Sequence, residues 1–353
     1  MLNFLVRKTF YSILVILGIV TIVFLLFNII PADPAKMMLG DRDDAVQLEN
    51  IRKKYNLDKP IIERYLLYIN DLSPISFHSI ENKKLEYYQS FNLLKTENKV
   101  ILIKTPYLGE SFFYKGKEVL GIILTVFPNT IILAFLSILF AVFISVPIGV
   151  FCAIKKDSFF DKFFIFFGSL GMSLPSFFAA ILIMWIFAYK LNWLTNLNVV
   201  GSLYEVDDLG RGEYIQIKNL ILPVITLGIR PIAVIMSLTR NSLLDTLSSN
   251  YVRTARSKGL TEFKVIVVHA LRNSLSSVLT ATSGWFASML SGAVFVEYIF
   301  GWNGVGKLLV ESINNMDFPL VMGLILFIGV CFVFINILVD LIYSWLDPRI
   351  KID

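Results

Sequence analysis

The stretch from Gly301 to Lys307, Gly-Trp-Asn-Gly-Val-Gly-Lys, has the composition and spacing of a loop that cradles nucleotide phosphates. Such a loop also needs a Ser or Thr after its lysine, because that hydroxyl holds magnesium, and this chain has Leu308 there. The stretch follows an apolar segment and not a strand. We therefore interpret it as a glycine-rich turn, and we expect this chain to bind neither ATP nor magnesium itself.

Few other side chains in the sequence could do chemistry. His78 and His269 lie in loops that the topology below places on opposite sides of a membrane, so they cannot share a metal site or a catalytic triad. Cys152 and Cys331 lie in apolar stretches, and two cysteines are too few for a disulfide framework or a Cys-based metal site. We place Asp340 as the only carboxylate inside a spanning segment, whereas an intramembrane aspartyl protease needs two. We expect no enzyme activity, no cofactor and no metal in this chain.

The elements that must position these residues are apolar helices. Of the 353 residues, 56% are apolar and 17% are charged, whereas soluble domains carry about a quarter charged residues. Crossing the hydrocarbon layer takes about 20 mostly apolar residues. Six segments meet that requirement without the alternation of barrel strands, at 9–30, 125–154, 163–189, 220–239, 278–300 and 320–343. The pattern predicts an all-α polytopic membrane protein with six transmembrane helices.

The distribution of Lys and Arg predicts the orientation of these helices. With the N-terminus inside, 13 basic residues lie in the inner segments 1–8, 155–162, 240–277 and 344–353. The short outer loops 190–219 and 301–319 carry 4. Because cytoplasmic loops of membrane proteins are enriched in Lys and Arg, both termini are expected in the cytoplasm.

The same segments divide the chain into four parts. We assign 1–30 to the cytoplasmic N-terminus and first helix, 31–118 to a large external segment, 119–343 to helices two to six, and 344–353 to a cytoplasmic tail. The first apolar run is too long for a signal peptide and lacks an A-x-A-like site after it, so we expect it to remain as a membrane helix.

The external segment contains patterns of its own. Two stripes at helical spacing predict short helices: Val46, Ile51 and Tyr55 after a capping Asp44, and Ile61, Tyr65 and Ile69 after Pro60. Val100–Lys104 and Phe112–Lys115 are candidates for short strands. Residues 72–99 are polar and mixed, which favours a mobile insertion.

The inner loop 240–277 has the most specific pattern. Two helical stripes flank a Lys-Gly pair that signals the end of a helix: Leu243, Leu247, Tyr251 and Ala255 before Lys258 and Gly259, then Phe263, Val267, Ala270 and Ser274. Thr261 can cap the second helix, and Glu262 suits its positive end. The pattern predicts a hairpin with a small tip at Gly259 and basic flanks at Arg253, Arg256 and Lys258, shaped to dock into a groove of another protein.

A helix–turn–helix with six basic residues could also indicate DNA binding. Its second helix, however, continues into a membrane segment without a linker, so it cannot easily lie in a major groove. The positive-inside rule explains the charges, and we expect no nucleic-acid partner.

Arg230 and Asp340 are charged residues inside predicted membrane helices. Such groups usually face a partner, a cavity or a water path. Arg230 is a candidate for the pathway, or it reaches a carbonyl freed by the kink at Pro231. Asp340 is a candidate for an ion pair, or it lies close to the inner interface.

Small residues at four-residue spacing, Gly284, Ser288 and Gly292, follow one face of the fifth predicted helix. Such a face lets another backbone approach closely, within the chain or from a partner.

Five prolines lie in or near the ends of helices two, three and four, where they can kink a helix without a functional purpose: Pro128, Pro147, Pro175, Pro223 and Pro231.

The hairpin sequence resembles the cytoplasmic coupling loop of ABC-transporter permeases of the dipeptide, oligopeptide and nickel importer family. The resemblance rests on Asn250-Tyr-Val-Arg-Thr-Ala-Arg-Ser-Lys-Gly-Leu260 and on His269-Ala-Leu-Arg-Asn273. Further matches follow in the same order over nearly the whole chain: Leu57-Asp-Lys-Pro60, Ser173-Leu-Pro-Ser-Phe177, Glu297 to Gly306, Asp317-Phe-Pro-Leu-Val321 and Leu346-Asp-Pro-Arg-Ile350.

The resemblance implies a type I importer permease for peptides in the bacterial inner membrane. It also implies a second permease subunit, two ATPase subunits that hold ATP and magnesium, and an external substrate-binding protein. In the coupling loop, Arg253, Arg256 and Lys258 would supply polar contacts to the ATPase, Thr254, Ala255 and Leu260 would provide packing, and Gly259 would form the tip.

The chain also departs from the broad permease motif. Residues 253–255 are Arg-Thr-Ala where that motif has Glu-Ala-Ala, and His269, Leu271 and Arg272 stand at later motif positions. These departures resemble the peptide-importer branch. Residues 72–106 do not match the family and are expected to be an insertion before the element at Leu108–Ser111. A nickel-chelate or other small-solute importer and, in a different class, a membrane scaffold or DNA-tethering protein without transport remain alternatives.

Overall fold

The computed structural model describes residues 2–29, 45–54, 56–79, 90–96, 99–207, 210 and 212–346. Its helices are α1 Leu2–Ile29, α2 Ala45–Lys54, α3 Ile61–Leu72, α4 Val119–Ile154, α5 Phe159–Ser173, α6 Ser176–Ile183, α7 Asn192–Thr195, α8 Lys218–Leu247, α9 Asn250–Ser257, α10 Glu262–Lys264, α11 Arg272–Gly292, α12 Val294–Ile299, α13 Val305–Asn314 and α14 Phe318–Leu346. The π-helical stretches Met184–Lys190 and Val265–Leu271 continue α6 and α10.

Five short strands accompany the helices: β1 Ile75–Ser79, β2 Ser90–Lys95, β3 Lys99–Lys104, β4 Tyr204–Val206 and β5 Glu213–Ile215. The prediction of an all-α chain is therefore wrong in detail, because parts of the predicted external segment and of the loop before α8 pair as antiparallel strands. The predicted strand at Val100–Lys104 is confirmed within β3, whereas Phe112–Lys115 forms a turn.

Among the described residues, four helices are long and apolar enough to cross a membrane, and they span Arg7–Asn28, Val119–Ile154, Lys218–Leu247 and Phe318–Leu341. They coincide with four of the six predicted segments. The predicted segment 163–189 is broken, because α5 and the helix Ser176–Lys190 meet at 107°. Pro175 has no N–H to donate and holds Leu174 in an extended conformation, which ends α5 there. Counting that pair as one span gives five.

The fifth predicted segment, 278–300, lies on α11 and α12. It is not among the spans that length and composition identify in the described chain. Its hydroxyl residues explain the lower hydropathy, and three of them, Thr280, Thr282 and Ser283, donate to carbonyl oxygens four residues earlier. These bonds satisfy the hydroxyls within the helix.

The chain divides into two compact units. The first contains residues 1–8, 126–310 and 331–353, and the second contains 9–125 and 311–330. In the first unit, Leu133, Ile235, Val278 and Trp302 belong to one buried cluster. Helices α4 and α8 approach closely, since a Cβ on Gly149 would lie 2.7 Å from the carbonyl oxygen of Met236.

In the second unit, α1, α3 and α14 share an apolar cluster around Val20, Val23 and Leu326. The helices α2 and α3 confirm the two predicted stripes, although Asp44 and Tyr55 lie outside the described residues. Strands in the order β1-β3-β2 form an antiparallel sheet. Residues 75–79 and 90–95, which lie within the predicted mobile insertion, are strands of this sheet.

Asp317 organises the start of α14 in the second unit. Its buried carboxylate accepts hydrogen bonds from the Ser111 hydroxyl and from the backbone N–H of Phe112, at 3.0 Å, and Phe113, at 3.3 Å. It also accepts from the N–H of Leu320, at 3.4 Å, at the N-terminus of the helix. One side chain thus caps α14 and holds the turn that follows Gly109.

Candidate functional site

The hairpin predicted in the loop 240–277 is present in the structure. Helix α9 ends at Ser257, and Gly259 has a φ of +75°, in the left-handed region that favours glycine. Thr261 occupies the N-cap position of α10 with an extended backbone, but its side chain makes no capping hydrogen bond. No described atom lies within 4 Å of a Cβ placed on Gly259, so the tip is open.

The two sides of α9 differ in character. Arg253, Thr254, Arg256 and Lys258 are exposed on the outer side. The inner side carries Val252 and Ala255, which are 0% and 7% exposed. Both pack into a cluster with Ala153 of α4 and Leu243 of α8, and the partly buried Leu260 joins it.

The structure shows what two of the expected packing residues contact. Ala255 and Leu260 fasten the hairpin to its own helices. The surface available to a partner therefore consists of the four exposed side chains and the backbone at Gly259.

Two further contacts close the hairpin. The Arg256 guanidinium donates to the Glu262 carboxylate, at 2.9 and 3.3 Å. The Asn273 amide donates to the Tyr251 hydroxyl at 2.8 Å, which links α9 to α11. These contacts tie α9 to Glu262 at the start of α10 and to Asn273 at the start of α11.

A buried ion pair involves α8 about one turn before Leu243, which belongs to the apolar cluster that holds the hairpin. Arg240 binds Asp161 of α5 through two parallel hydrogen bonds, Nε to Oδ1 at 2.7 Å and Nη2 to Oδ2 at 2.6 Å. The side chains are 14% and 1% exposed. The pair connects α5 to the helix that leads into the hairpin. The sequence analysis missed it, since nothing in the spacing of two residues so far apart pairs them.

The stretch 301–307 is a turn around the buried side chain of Glu297. The Glu297 carboxylate is fully buried and accepts hydrogen bonds from the Thr130 hydroxyl at 2.8 Å and from the N–H of Gly306 at 2.7 Å and Lys307 at 3.3 Å. These N–H groups belong to the first turn of α13, where the helix dipole favours a negative charge. Trp302 is buried in the same turn, and its indole donates to the carbonyl of Asn129 at 3.1 Å.

Glu297 also corrects the sequence analysis. It lies inside the predicted segment 278–300, so Asp340 is not the only carboxylate within the predicted spanning segments. Asp340 forms an ion pair with Lys8. The two carboxylates thus have different partners.

Arg230 lies in the interior of α8 between Pro223 and Pro231, both of which the helix accommodates. Its guanidinium lies over the ring of Trp285 of α11, at 5.9 Å from the centroid. The buried Nε has no hydrogen-bond partner among the described residues, so the expected bond to a kink carbonyl is not formed through it.

The face with Gly284 and Ser288 is exposed on α11. No described atom lies within 4 Å of a Cβ placed on Gly284, so no backbone of the described chain uses this position for close approach. Gly292 ends the helix.

Comparison with known proteins agrees with these features. Residues 145–352 match the family described as binding-protein-dependent transport system inner membrane component, and residues 1–77 match the N-terminal region of such membrane components. The first match covers more than half of the chain and includes the hairpin.

Full-length relatives carry related names. The chain is 33% identical to the dipeptide transport system permease protein of Alkalihalophilus pseudofirmus, over 99% of this chain and 100% of that protein. It is 32% identical to the di/tripeptide transport system permease protein of Pseudomonas aeruginosa, over 99% of both chains. It is 31% identical to the probable D,D-dipeptide transport system permease protein of Escherichia coli, over 96% of this chain and 94% of that protein.

Apolar helices that can span a membrane, a protruding hairpin and these full-length matches agree with one another. The chain belongs to the binding-protein-dependent transport system inner membrane component family and is a multi-pass membrane transport subunit, not an enzyme.

Proposed function

We propose that the chain is the permease subunit of an ATP-driven importer of di- and oligopeptides in the bacterial inner membrane. The names of its relatives, which specify dipeptide and di/tripeptide transport, support peptides as the substrate class. Among the alternatives, no feature of the described residues favours a nickel chelate, another small solute or a scaffold without transport.

The hairpin carries this proposal. Its exposed residues Arg253, Thr254, Arg256 and Lys258 and the open backbone at Gly259 form a protruding tip that suits a groove on an ATPase subunit. Two ATPase subunits would hold ATP and magnesium. Their closure on ATP would push the hairpin, and the buried cluster that ties it to α4 and α8 would pass the motion to the membrane helices.

We assign six membrane spans, with α11 as a span beside the bent pair and the four straight helices. Its hydroxyls are bonded within the helix, which lowers the cost of placing it in lipid. Both termini and the hairpin are cytoplasmic in this assignment, and 31–118 is external with 72–106 as an insertion. The 13-to-4 distribution of basic residues supports this orientation.

The remaining partners lie in the membrane and outside it. A second, similar permease subunit would complete the translocation pathway, and the exposed small-residue face at Gly284 and Ser288 offers a surface for close helix contact. An external binding protein would deliver the substrate to the outer side.

Substitution at Gly259 tests the hairpin's role. Gly259→Asp should lower substrate-stimulated ATP hydrolysis by the assembled importer about tenfold or more, since it adds bulk and negative charge at the centre of a docking surface. The amount of the Gly259→Asp chain in the membrane should stay near that of the wild-type chain, because no described atom lies within 4 Å of the new Cβ.

Gly116→Asp is a matched control. Gly116 also has a φ of +75° and open space around its Cβ, so both variants carry the same backbone strain. Gly116 lies in the external segment, so the importer that carries Gly116→Asp should keep its substrate-stimulated ATP hydrolysis. Equal rates in the two variants would count against the hairpin as the ATPase contact. A chain that purifies from its native membrane without any ATPase would contradict the importer itself.

A further inference from the structure

Arg230 is placed deep in a membrane helix. It follows the first residue of α8 by 12 positions and precedes the last by 17, which at about 1.5 Å per residue puts it about 18 Å and 25 Å from the two ends. A charge at such depth is costly unless it faces a partner, a cavity or water.

The chain provides no counter-ion for this charge in the part that the structure describes. Asp161 binds Arg240, Glu297 binds the N–H groups of α13, and Asp340 binds Lys8. Arg230 itself makes one described interaction, the cation–π contact with Trp285 at 5.9 Å, and its Nε is buried without a hydrogen-bond partner. The guanidinium therefore keeps its hydrogen-bonding capacity for a group from outside the chain.

We propose that Arg230, held against Trp285, binds the terminal carboxylate of a peptide during its passage through the membrane. This inference rests on the proposed function. The planar guanidinium presents two parallel N–H donors that match the two oxygens of a carboxylate. The ring of Trp285 attracts the cation through its face and leaves those donors unoccupied.

The absence of a fixed carboxylate partner fits transient binding. A permanent ion pair, such as that between Arg240 and Asp161, would neutralise the cation and exclude the substrate. A cation–π contact contributes less than a buried ion pair, so the site can accept a passing anion and release it.

Transport of a peptide and of its C-terminal amide tests the proposal. The importer is reconstituted with its binding protein and ATPase subunits, and uptake is measured for a dipeptide with a free carboxylate and for the same dipeptide with an amidated C-terminus. The ratio of the two rates is then compared between the wild type and Arg230→Gln. Any preference of the binding protein divides out, because both permeases receive substrate from the same protein.

We expect the ratio to fall about tenfold in Arg230→Gln, since a hydrogen bond to a charged group is lost only for the free carboxylate. Arg230→Met also removes the charge, and a methionine costs less free energy than a glutamine inside an apolar helix. It is the variant to measure if Arg230→Gln does not accumulate in the membrane. Lys190→Gln is the matched control, because Lys190 is an exposed cation at 5.5 Å from the ring of Trp185. It should leave the ratio unchanged.

The outcomes separate this inference from the proposed function. A wild-type ratio retained in both Arg230 variants would overturn the carboxylate site and leave peptide import intact. A wild-type importer that carries neither peptide would instead contradict the peptide substrate. Equal loss of both rates would assign Arg230 to helix packing, and this also overturns the proposal.

Discussion

The carboxylate of Glu297 accepts a hydrogen bond of 2.7 Å from the backbone N–H of Gly306, in the first turn of α13. The N-terminus of a helix that follows a glycine-rich turn is a common place for a bound phosphate. Here the protein fills that place with its own side chain, and a Cβ on Gly304 would lie 2.4 Å from Oε2. A glycine of this stretch, Gly304, thus leaves room for the buried carboxylate of Glu297 and not for a phosphate.

Removal of this carboxylate should destabilise the first unit. In Glu297→Ala, the Thr130 hydroxyl and the N–H groups of Gly306 and Lys307 lose their acceptor in a buried site, which costs about 3 kcal/mol. We expect a lower midpoint of thermal unfolding for the purified chain in detergent. Glu297→Gln keeps one acceptor oxygen, so its unfolding midpoint should lie between those of Glu297→Ala and the wild type.

Glu213→Ala provides the control for this experiment, because Glu213 is exposed on β5. Its unfolding midpoint should equal that of the wild type. A Glu297→Ala chain that unfolds at the wild-type temperature would show that the carboxylate does not organise the turn.

The two arginine–carboxylate pairs near the hairpin should differ in their contribution to stability. Asp161→Asn leaves Arg240 without its partner at a site where the side chains are 1% and 14% exposed, and such a loss costs about 3 kcal/mol or more. Glu262→Gln removes the partner of Arg256 where the side chains are 63% and 43% exposed, which costs about 1 kcal/mol or less.

Thermal unfolding of the two variants measures this difference directly. The double variant Asp161→Asn, Arg240→Gln should recover part of the loss, because it no longer buries an unpaired charge. Similar midpoints for Asp161→Asn and Glu262→Gln would contradict the assignment of the first pair as a buried connection between α5 and α8.

The cap formed by Asp317 should protect the neighbouring turn at residues 111–117 from protease. Asp317→Ala removes the acceptor for Ser111, Phe112 and Phe113, so the turn should open more often. Trypsin should then cleave after the exposed Lys115 or Lys117 about tenfold faster than in the wild type.

Asp317→Asn retains one carbonyl oxygen as an acceptor and should be cleaved at an intermediate rate. The cleavage rate is followed by the loss of intact chain in detergent, with the wild type digested in parallel. Identical rates for all three chains would show that Asp317 does not hold the turn.

Local patterns predicted those elements that depend on neighbouring residues. The apolar runs located four of the spans, Pro175 marked the break in the third segment, and the Lys-Gly pair at 258–259 located the hairpin tip. The strands at 75–79 and 90–95 were missed, because a short strand in a polar stretch is stabilised by pairing with β3 and not by a pattern of its own.

The sequence by itself determined the class of protein, four of the spans and the hairpin, because hydropathy and helix termination depend on residues within one or two turns. Only the tertiary structure decided which charges meet: Asp161 with Arg240, Glu297 with the N-terminus of α13, and Arg230 with an aromatic ring and no counter-ion among the described residues. These contacts join residues far apart in the chain, and their strength depends on burial and geometry that appear when the helices pack.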